Sequence, residues 1–419
     1  MAGLMFLKFS FLFIVISSIL NLNMKLGFLH NDFKVYWRGR LYYLYDFFKR
    51  KNIQVHVIEI FGNESPYSFD QKARQDDWWD CLFETESFKD LTTIEVKKKI
   101  MDKLDEINPD ILIAGPIPFT SGAIGMQWAY KRGKKIIIFD DSKHSHYNRN
   151  FLVNYIKISL IKLAHGILVP SEEYDSEYEK WNIAKTKLYY GLNCIDNDYF
   201  HSKKKQFSSS KKIVFVGRLV KIKNLEALLT SWKVIEQVNP DYQLIIIGDG
   251  PEYENLLTIK IKLELERVKF LGNQNRRVIA KILAISEAFI LPSFLEGWGL
   301  VVNEAMSAGL PVLLSNRVNA GYTLLKDGVN GYSFDPNQPE QMTEAILKYI
   351  GLSETEKIRM SKSAFSSVKK YNYRNLGDQL LKAVSELKLK KNNRLSLLNY
   401  FLLRKWNGKF KTANWDTLK

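Results

Sequence analysis

The stretch AFILPSFLEGWGLVVNEAMSAGLPV, residues 288–312, reads as a strand, a loop and a helix in succession. Its apolar start predicts a buried strand that ends at Pro292. The loop Gly297-Trp298-Gly299 then leads into a helical stretch that begins near Leu300. The first amides of a helix lack intrahelical acceptors, and the helix dipole is positive at that end. The segment therefore predicts an anion-binding turn at the carboxyl end of a strand.

Two glutamates flank this turn. Glu296 lies in the loop, and Glu304 lies within the helix, a little over one turn past Leu300. A carboxylate suits vicinal hydroxyls because it accepts two hydrogen bonds at once. We expect one glutamate to hold sugar hydroxyls and the other to hold ribose hydroxyls, with a diphosphate between them.

A second motif supplies positive charge. The apolar run Ile213–Val216 ends at Gly217, Arg218 follows at once, and Lys223 lies five positions further on. Two cations beside the amides of a helix N-terminus can bind a diphosphate. The turn Gly248-Asp-Gly-Pro resembles half of a dinucleotide fingerprint, but the full G-x-G-x-x-G is absent from it.

Short apolar runs alternate with helical stretches along most of the chain, which predicts parallel sheets covered by helices. A chain of 419 residues exceeds the roughly 250–300 residues at which single cores stop growing, so two α/β domains are expected. Residues Asn63–Asp90 have no clear period and read as a loop insertion. The predicted strands are Met24–His30, Val55–Ile60, Ile111–Ala114, Lys135–Phe139, His165–Val169, Leu188–Tyr190, Ile213–Val216, Gln243–Ile247, Val268–Leu271, Ala288–Leu291 and Val312–Leu314.

These patterns divide the chain into six segments. We predict an apolar extension or anchor, a first α/β domain, a linker, a second α/β domain, a terminal helix that returns to the first domain, and a basic amphipathic tail. Their bounds are residues 1–23, 24–200, 201–211, 212–372, 373–389 and 390–419.

Both ends of the chain leave alternatives open. The apolar run Phe9–Leu20 is either an N-terminal anchor or an extension upstream of the true start, and both are favoured over secretion. In the tail, Leu395, Leu398, Leu402 and Trp406 form a stripe accompanied by basic residues. The stripe fits a helix on an anionic membrane surface, and it equally fits a terminal helix packed on the protein.

Composition narrows the class of protein. With 46% hydrophobic and 25% charged residues the chain is globular, and its net charge of +16 favours anionic partners. The basic residues accompany no recognised nucleic-acid-binding module, so nucleic acid is not an expected partner. Cys81 and Cys194 support neither a disulfide framework nor a zinc site, and they fit a reducing cytoplasm.

Taken together, the motifs resemble those of the family-4 retaining glycosyltransferases of GT-B fold. Residues 296–304 match the E-x7-E signature of that family, and the resemblance covers about Met24 to Leu387. Further motifs occur in the family's order, at Val169-Pro-Ser171, Asn193-Cys-Ile-Asp196, Gly217-Arg218 with Lys223, Gly248-Asp-Gly-Pro251, Phe270-Leu-Gly272 and Asp327-Gly-Val-Asn-Gly331.

The resemblance implies two Rossmann-like domains facing across a cleft, with a nucleoside diphosphate sugar as donor and no bound metal or cofactor. It implies that Arg218 and Lys223 bind the donor diphosphate, that Glu296 contacts the transferred sugar and that Glu304 contacts the ribose. The remaining donor-binding positions that it implies are Gly39, Gly217, Asn273, Gly297, Trp298, Gly299 and Leu300.

The chain departs from the family in its first domain. Asp140 stands where many members carry a histidine near the reacting sugar, with Asp141 beside it and His144 and His146 close behind. Asp140 is therefore a further catalytic candidate. The first-domain glycine loop of the family retains only Gly39, after Arg38.

The sequence thus predicts a transferase that moves a sugar to a glycan or lipid-linked acceptor in surface polysaccharide synthesis. We expect it in the cytoplasm, at the inner face of the membrane, with peripheral membrane contact. A non-catalytic sugar-nucleotide-binding relative is the main alternative. An NAD-type dehydrogenase is less favoured because no complete dinucleotide fingerprint is present.

Overall fold

A computed structural model describes residues 24–33, 36–62, 76–87, 90–143, 151–201, 210–389 and 395–409, with the side chains of 151–153 left out. The predicted extension 1–23, most of the predicted linker, and both His144 and His146 lie outside these residues. Within them, no helix is both long and apolar enough to cross a membrane.

The chain divides into two compact units. The first unit comprises Met1–Leu192 with Tyr373–Thr412, and the second is built on Asn193–Asn372. The first unit thus ends eight residues before residue 200, the predicted end of the first domain. Contacts of the following segment explain the earlier boundary. The Asn197 side chain donates to the Val368 carbonyl at 3.1 Å, and Ile195 forms a bridge with Asn372.

The first unit contains a seven-stranded parallel sheet in the order β3-β2-β1-β4-β5-β6-β7. The strands are β1 Met24–His30, β2 Ile53–Phe61, β3 Trp79–Phe83, β4 Ile111–Ala114, β5 Lys135–Phe139, β6 Gly166–Val169 and β7 Leu188–Tyr190. The helices are α1 Tyr36–Lys49, α2 Thr93–Ile107, α3 Thr120–Lys131, α4 Phe151–Ile161 and α5 Asp175–Glu179, with 3-10 turns at Glu172–Tyr174 and Lys185–Lys187.

The apolar runs form these strands because helices cover both faces of a parallel sheet. In the register of strands β2, β1 and β4, Phe28 lies between Val57 and Ile113, and all three side chains are fully buried. The prediction of a loop over Asn63–Asp90 is wrong at strand β3, which lies within that range. This strand is an edge strand with mixed composition: Trp79 is buried, whereas Cys81 is half-exposed.

The second unit contains a six-stranded parallel sheet in the order β10-β9-β8-β11-β12-β13. The strands are β8 Lys212–Val216, β9 Gln243–Ile247, β10 Val268–Phe270, β11 Ala288–Leu291, β12 Val312–Ser315 and β13 Gly331–Phe334. The helices are α6 Asn197–Phe200, α7 Leu225–Val238, α8 Tyr253–Lys262, α9 Arg276–Ala284, α10 Leu300–Ser307, α11 Asn319–Leu324, α12 Pro339–Ile350 and α13 Glu354–Val368, with a 3-10 turn at Lys221–Lys223.

The chain ends in helices α14 Tyr373–Leu389 and α15 Leu397–Lys405, which lie in the first unit. Two hydrogen bonds fix α14 on strand β7. The Tyr189 hydroxyl donates to Glu386 at 2.8 Å, and the Tyr190 amide donates to the Gln379 side chain at 3.3 Å. Helix α14 thus covers residues 373–389, the segment of the predicted terminal helix.

Candidate active site

The candidate site lies at a topological switch point of the second unit. From the central strand β8 the chain adds β9 and β10 on one side, and β11, β12 and β13 on the other. Open parallel sheets bind ligands at such a point, beyond the carboxyl ends of the strands. The loops after β8 and β11 carry Arg218, Lys223 and Glu296 to this position.

Two glycines let the loops after β8 and β9 pack closely. A Cβ at Gly248 would overlap the Gly217 carbonyl oxygen, and a Cβ at Gly250 would overlap that of Leu219. Both glycines also have positive φ, +140° and +159°. The loops are joined by the Leu219 amide, which donates to the Asp249 carbonyl at 2.9 Å. The Gly-Asp-Gly turn therefore supports the backbone that presents Arg218.

Lys223 and Glu296 form an ion pair across the switch point. The Lys223 ammonium donates to the Glu296 carboxylate, and their side chains are 14% and 15% exposed. The Ser293 hydroxyl lies 3.5 Å from the same carboxylate oxygen. Since these residues follow strands β8 and β11, it is the sheet order that brings them together from 73 positions apart.

Backbone and side-chain hydrogen bonds fix the loop between Glu296 and Gly299. The Glu296 amide donates to the Arg317 carbonyl at 3.2 Å, and the Asn319 side chain donates to the Gly297 carbonyl at 2.8 Å. Asn319 was not predicted as a site residue. The loop it holds is therefore preorganised by the start of helix α11.

Trp298 points into the protein. It is 4% exposed, and its indole nitrogen donates to the Asn303 side chain at 2.8 Å. Asn303 in turn donates to the Asn193 carbonyl at 3.2 Å. Trp298 was predicted to bind the donor. In the structure its side chain is buried, so Trp298 would contact a ligand through its backbone.

Gly299 is the N-cap of helix α10 and has φ +92° and ψ +64°. A Cβ there would lie 3.0 Å from the Glu296 Cγ and 3.3 Å from a Leu291 methyl carbon. The left-handed conformation turns the chain from the loop into the helix, whose first amides, including that of Leu300, lack intrahelical acceptors. By contrast, a Cβ at Gly297 would meet nothing within 4 Å.

The other predicted donor residues of this unit differ in exposure. Arg218 is half-exposed, whereas Glu304 is buried at 5% exposure. Asn273 is exposed and follows Gly272, whose carbonyl accepts from the Gly248 amide at 2.8 Å. That bond joins the loops after β9 and β10, so Asn273 belongs to the same edge of the sheet.

The two candidates of the first unit lie in other surroundings. Asp140 is 1% exposed and forms an ion pair with buried Lys157 at 3.3 Å. It also accepts from the Ser142 amide at 2.9 Å.

Gly39 lies within helix α1, so the expectation that it belongs to a glycine loop is wrong. A Cβ at Gly39 would collide with the Tyr373 hydroxyl, so the packing of α14 explains the glycine there.

Lys157 is a residue that sequence reasoning missed. It lies in an apolar helix, where a lone lysine gives no signal of its partner 17 positions earlier. As regards metals, the described residues contain no group of three or more His, Cys, Asp or Glu side chains that could hold an ion.

Residues 196–365 match the family model described as glycosyl transferases group 1. N-acetyl-alpha-D-glucosaminyl L-malate synthase of Bacillus anthracis is 30% identical over 185 residues, which cover 43% of this chain and 45% of that protein. The chain therefore matches less than half the length of the first curated relatives.

Solved structures match over more of the chain. Sucrose-phosphate synthase of Thermosynechococcus elongatus superposes with a TM-score of 0.69 at 15% identity, over 87% of this chain and 98% of that one. HepE of Anabaena, solved with UDP, superposes with a TM-score of 0.66 at 17% identity, over 87% and 100%. These likenesses show the fold alone.

The fold is thus that of the GT-B glycosyltransferases, as predicted. Within it, residues 196–365 match the group 1 glycosyl transferases, which agrees with the resemblance to glycosyltransferases drawn from the sequence.

Proposed function

We propose that the protein is a retaining glycosyltransferase. It moves a sugar from a nucleoside diphosphate sugar to a glycan or lipid-linked acceptor in the synthesis of a surface polysaccharide. The observation that carries the proposal is the contact between Lys223 and Glu296 beside the N-terminus of helix α10. It joins a cation suited to a phosphate with a carboxylate suited to sugar hydroxyls.

The departing diphosphate is the group whose charge grows during transfer, so preorganised cations and amides contribute most to the rate. In our proposal Arg218, Lys223 and the amides of Gly299 and Leu300 stabilise this charge. The donor diphosphate competes with Glu296 for Lys223. Once Lys223 binds phosphate, the Glu296 carboxylate is available to the hydroxyls of the transferred sugar.

The remaining residues complete the donor site. Glu304 would accept from the ribose hydroxyls, and the base would lie near Asn273. Gly217, Gly297 and Trp298 would contribute backbone. For retention, the leaving phosphate would take the acceptor proton on the same face of the sugar. The UDP bound to HepE supports a nucleoside diphosphate as the leaving group.

The first unit would hold the acceptor. Asp140 remains our candidate near the reacting sugar, and its ion pair with Lys157 favours a positioning role over direct proton transfer. Gly39 remains a candidate for contact with the phosphates through its backbone. We further propose that the enzyme acts in the cytoplasm at the inner face of a membrane, where its net charge of +16 suits an anionic surface.

A panel of nucleotide sugars tests the proposal. A ligand at one hundred times its Kd stabilises the folded state by about 2.7 kcal/mol, so the true donor should raise the melting temperature measurably. Turnover of that donor with an α-linked sugar should give an α-linked product by NMR. A panel in which no nucleotide sugar protects the protein or is consumed would overturn the proposal, and a β-linked product would overturn retention alone.

A further inference from the structure

We propose that one face of helix α15 docks on an anionic lipid bilayer. This docking face consists of Leu397, Leu398, Tyr400, Phe401, Arg404 and Lys405. This docking rests on the proposed function, because a lipid-linked acceptor is presented at such a surface. Vesicle binding itself requires no sugar transfer.

The opposite side of the helix is held on the first unit. Leu403 is buried there, and the Trp406 indole donates to the Ile117 carbonyl at 2.8 Å. The Gln127 side chain donates to the Trp406 carbonyl at 2.6 Å. The Lys409 amide donates to the Pro118 carbonyl at 2.8 Å. Trp406, which belongs to the predicted apolar stripe, therefore faces the protein.

The docking face presents apolar side chains to the outside. Leu397 is 90% exposed, Leu398 52%, Tyr400 53% and Phe401 58%. At 3.6 residues per turn, Leu397 and Phe401 lie about 40° apart on the helix. An ordinary surface helix turns its polar side outward. Here the outward arc is apolar at its centre.

The charges around this arc indicate which partner binds the docking face. Arg404 and Lys405 are exposed on either side of the pair Leu397 and Phe401, and the helix LLNYFLLRK has no acidic residue. Between Glu386 and Asp416 the sequence has eight basic residues and none that is acidic. Apolar side chains flanked by Lys and Arg are typical of helices at an anionic membrane surface.

A second copy of the chain is the other occupant to consider. In a two-fold dimer the same patch faces itself, so a face whose charged residues are Arg404 and Lys405 would bring positive charges together. Like charges that face each other across an interface disfavour association. A bilayer with anionic headgroups instead complements them, and each basic residue near such a surface adds about fivefold to binding.

The attachment of α15 also relates the docking face to the acceptor side of the first unit. Ile117 and Pro118 lie in the loop after strand β4, and Lys409 forms a bridge with Phe119 in the same loop. This loop lies at the carboxyl end of the sheet, where ligands of open α/β sheets bind. Docking would therefore bring this edge of the unit close to the membrane.

Co-sedimentation of the full-length protein with vesicles tests the proposal. The vesicles contain phosphatidylcholine alone or phosphatidylcholine with phosphatidylglycerol. Leu397→Ser with Phe401→Ser should lower the binding to anionic vesicles at least tenfold, and Arg404→Gln with Lys405→Gln should remove most of the preference for them. The matched control is Ile94→Ser with Ile261→Ser, which changes side chains 80% and 77% exposed on helices α2 and α8. The control should bind as the parent does.

Equal vesicle binding by the Leu397/Phe401 variant and the parent would overturn the proposal. So would a change of oligomeric state in light scattering without a change in vesicle binding, because it would assign the face to a second copy. Thermal protection by nucleotide sugars is measured on the same variants and should stay unchanged. Vesicle binding without any donor protection would retain the docking face and refute the proposed transferase.

Discussion

Gly299 and Gly297 offer a matched pair of substitutions in one loop. Gly299→Ala forces a Cβ onto a residue with φ +92°, at a cost of roughly 1–2 kcal/mol for the left-handed conformation. The new Cβ also lies 3.0 Å from the Glu296 Cγ, and crowding of this kind costs roughly 1–3 kcal/mol. The free energy of unfolding should fall by roughly 2–5 kcal/mol in total.

For a unit of this size each kcal/mol shifts the melting temperature by about 2–4 °C, so Gly299→Ala should lower it by roughly 4–20 °C. Gly297→Ala meets open space and should stay within about 0.5 kcal/mol of the parent. Thermal melts followed by circular dichroism measure both. If the loop rearranges instead of unfolding, Gly299→Ala should lose donor affinity while Gly297→Ala keeps it. Equal melting temperatures and equal donor affinities in both variants would refute this account of the turn.

Two further predictions concern buried carboxylates. Burial raises the pKa of Glu59 to about 7 from an ordinary value of 4.5, so its contribution to stability is present below pH 4.5 and is lost as the pH rises through 7. Between pH 5 and 8 the free energy of unfolding of the parent should fall by about 3 kcal/mol because of Glu59, and Glu59→Gln should remove this fall. Urea unfolding at several pH values measures both proteins. The same pH profile in the variant and the parent would contradict the prediction. Glu287 accepts from Lys357 at 2.8 Å and from the Tyr242 hydroxyl at 2.9 Å in the interior of the second unit. Glu287→Ala should therefore lower the free energy of unfolding by about 3–5 kcal/mol, because it leaves the Lys357 ammonium buried without its carboxylate. Glu287→Leu with Lys357→Met removes both charges and should lower it much less. Equal losses in the two variants would show that the unpaired lysine is not the cause.

The central strands were predictable from the sequence because both of their faces are buried, which makes them continuous apolar runs. The edge strands β3 and β13 escaped prediction. Residues such as Cys81 and Ser333 are partly or fully exposed in these two strands and break the apolar pattern.

The site was predictable in its parts but not in its contacts. The spacing of Glu296 and Glu304 identified the segment, whereas the ion pair with Lys223 depends on the sheet order. The inward turn of Trp298 depends on Asn303, since an indole in a glycine loop looks the same in sequence whether it faces a ligand or the core.

The tail shows the same limit. Periodicity identified a helix with an apolar stripe, yet Trp406 faces the protein while Leu398 faces outward. Which side of a short helix is covered depends on tertiary partners such as Ile117, and these are distant in the sequence.

The central claim is that Arg218 and Lys223 form the phosphate site of the donor. Isothermal titration with UDP and with GDP tests it on Arg218→Ala, Lys223→Ala and Lys221→Ala. Lys221 is the control because it is exposed in the same 3-10 turn as Lys223. A lost hydrogen bond from a charged group is worth about 1.5–3 kcal/mol, so the first two variants should each weaken nucleotide binding at least tenfold. Lys221→Ala should leave binding unchanged, and equal affinity in all three variants would contradict the assignment.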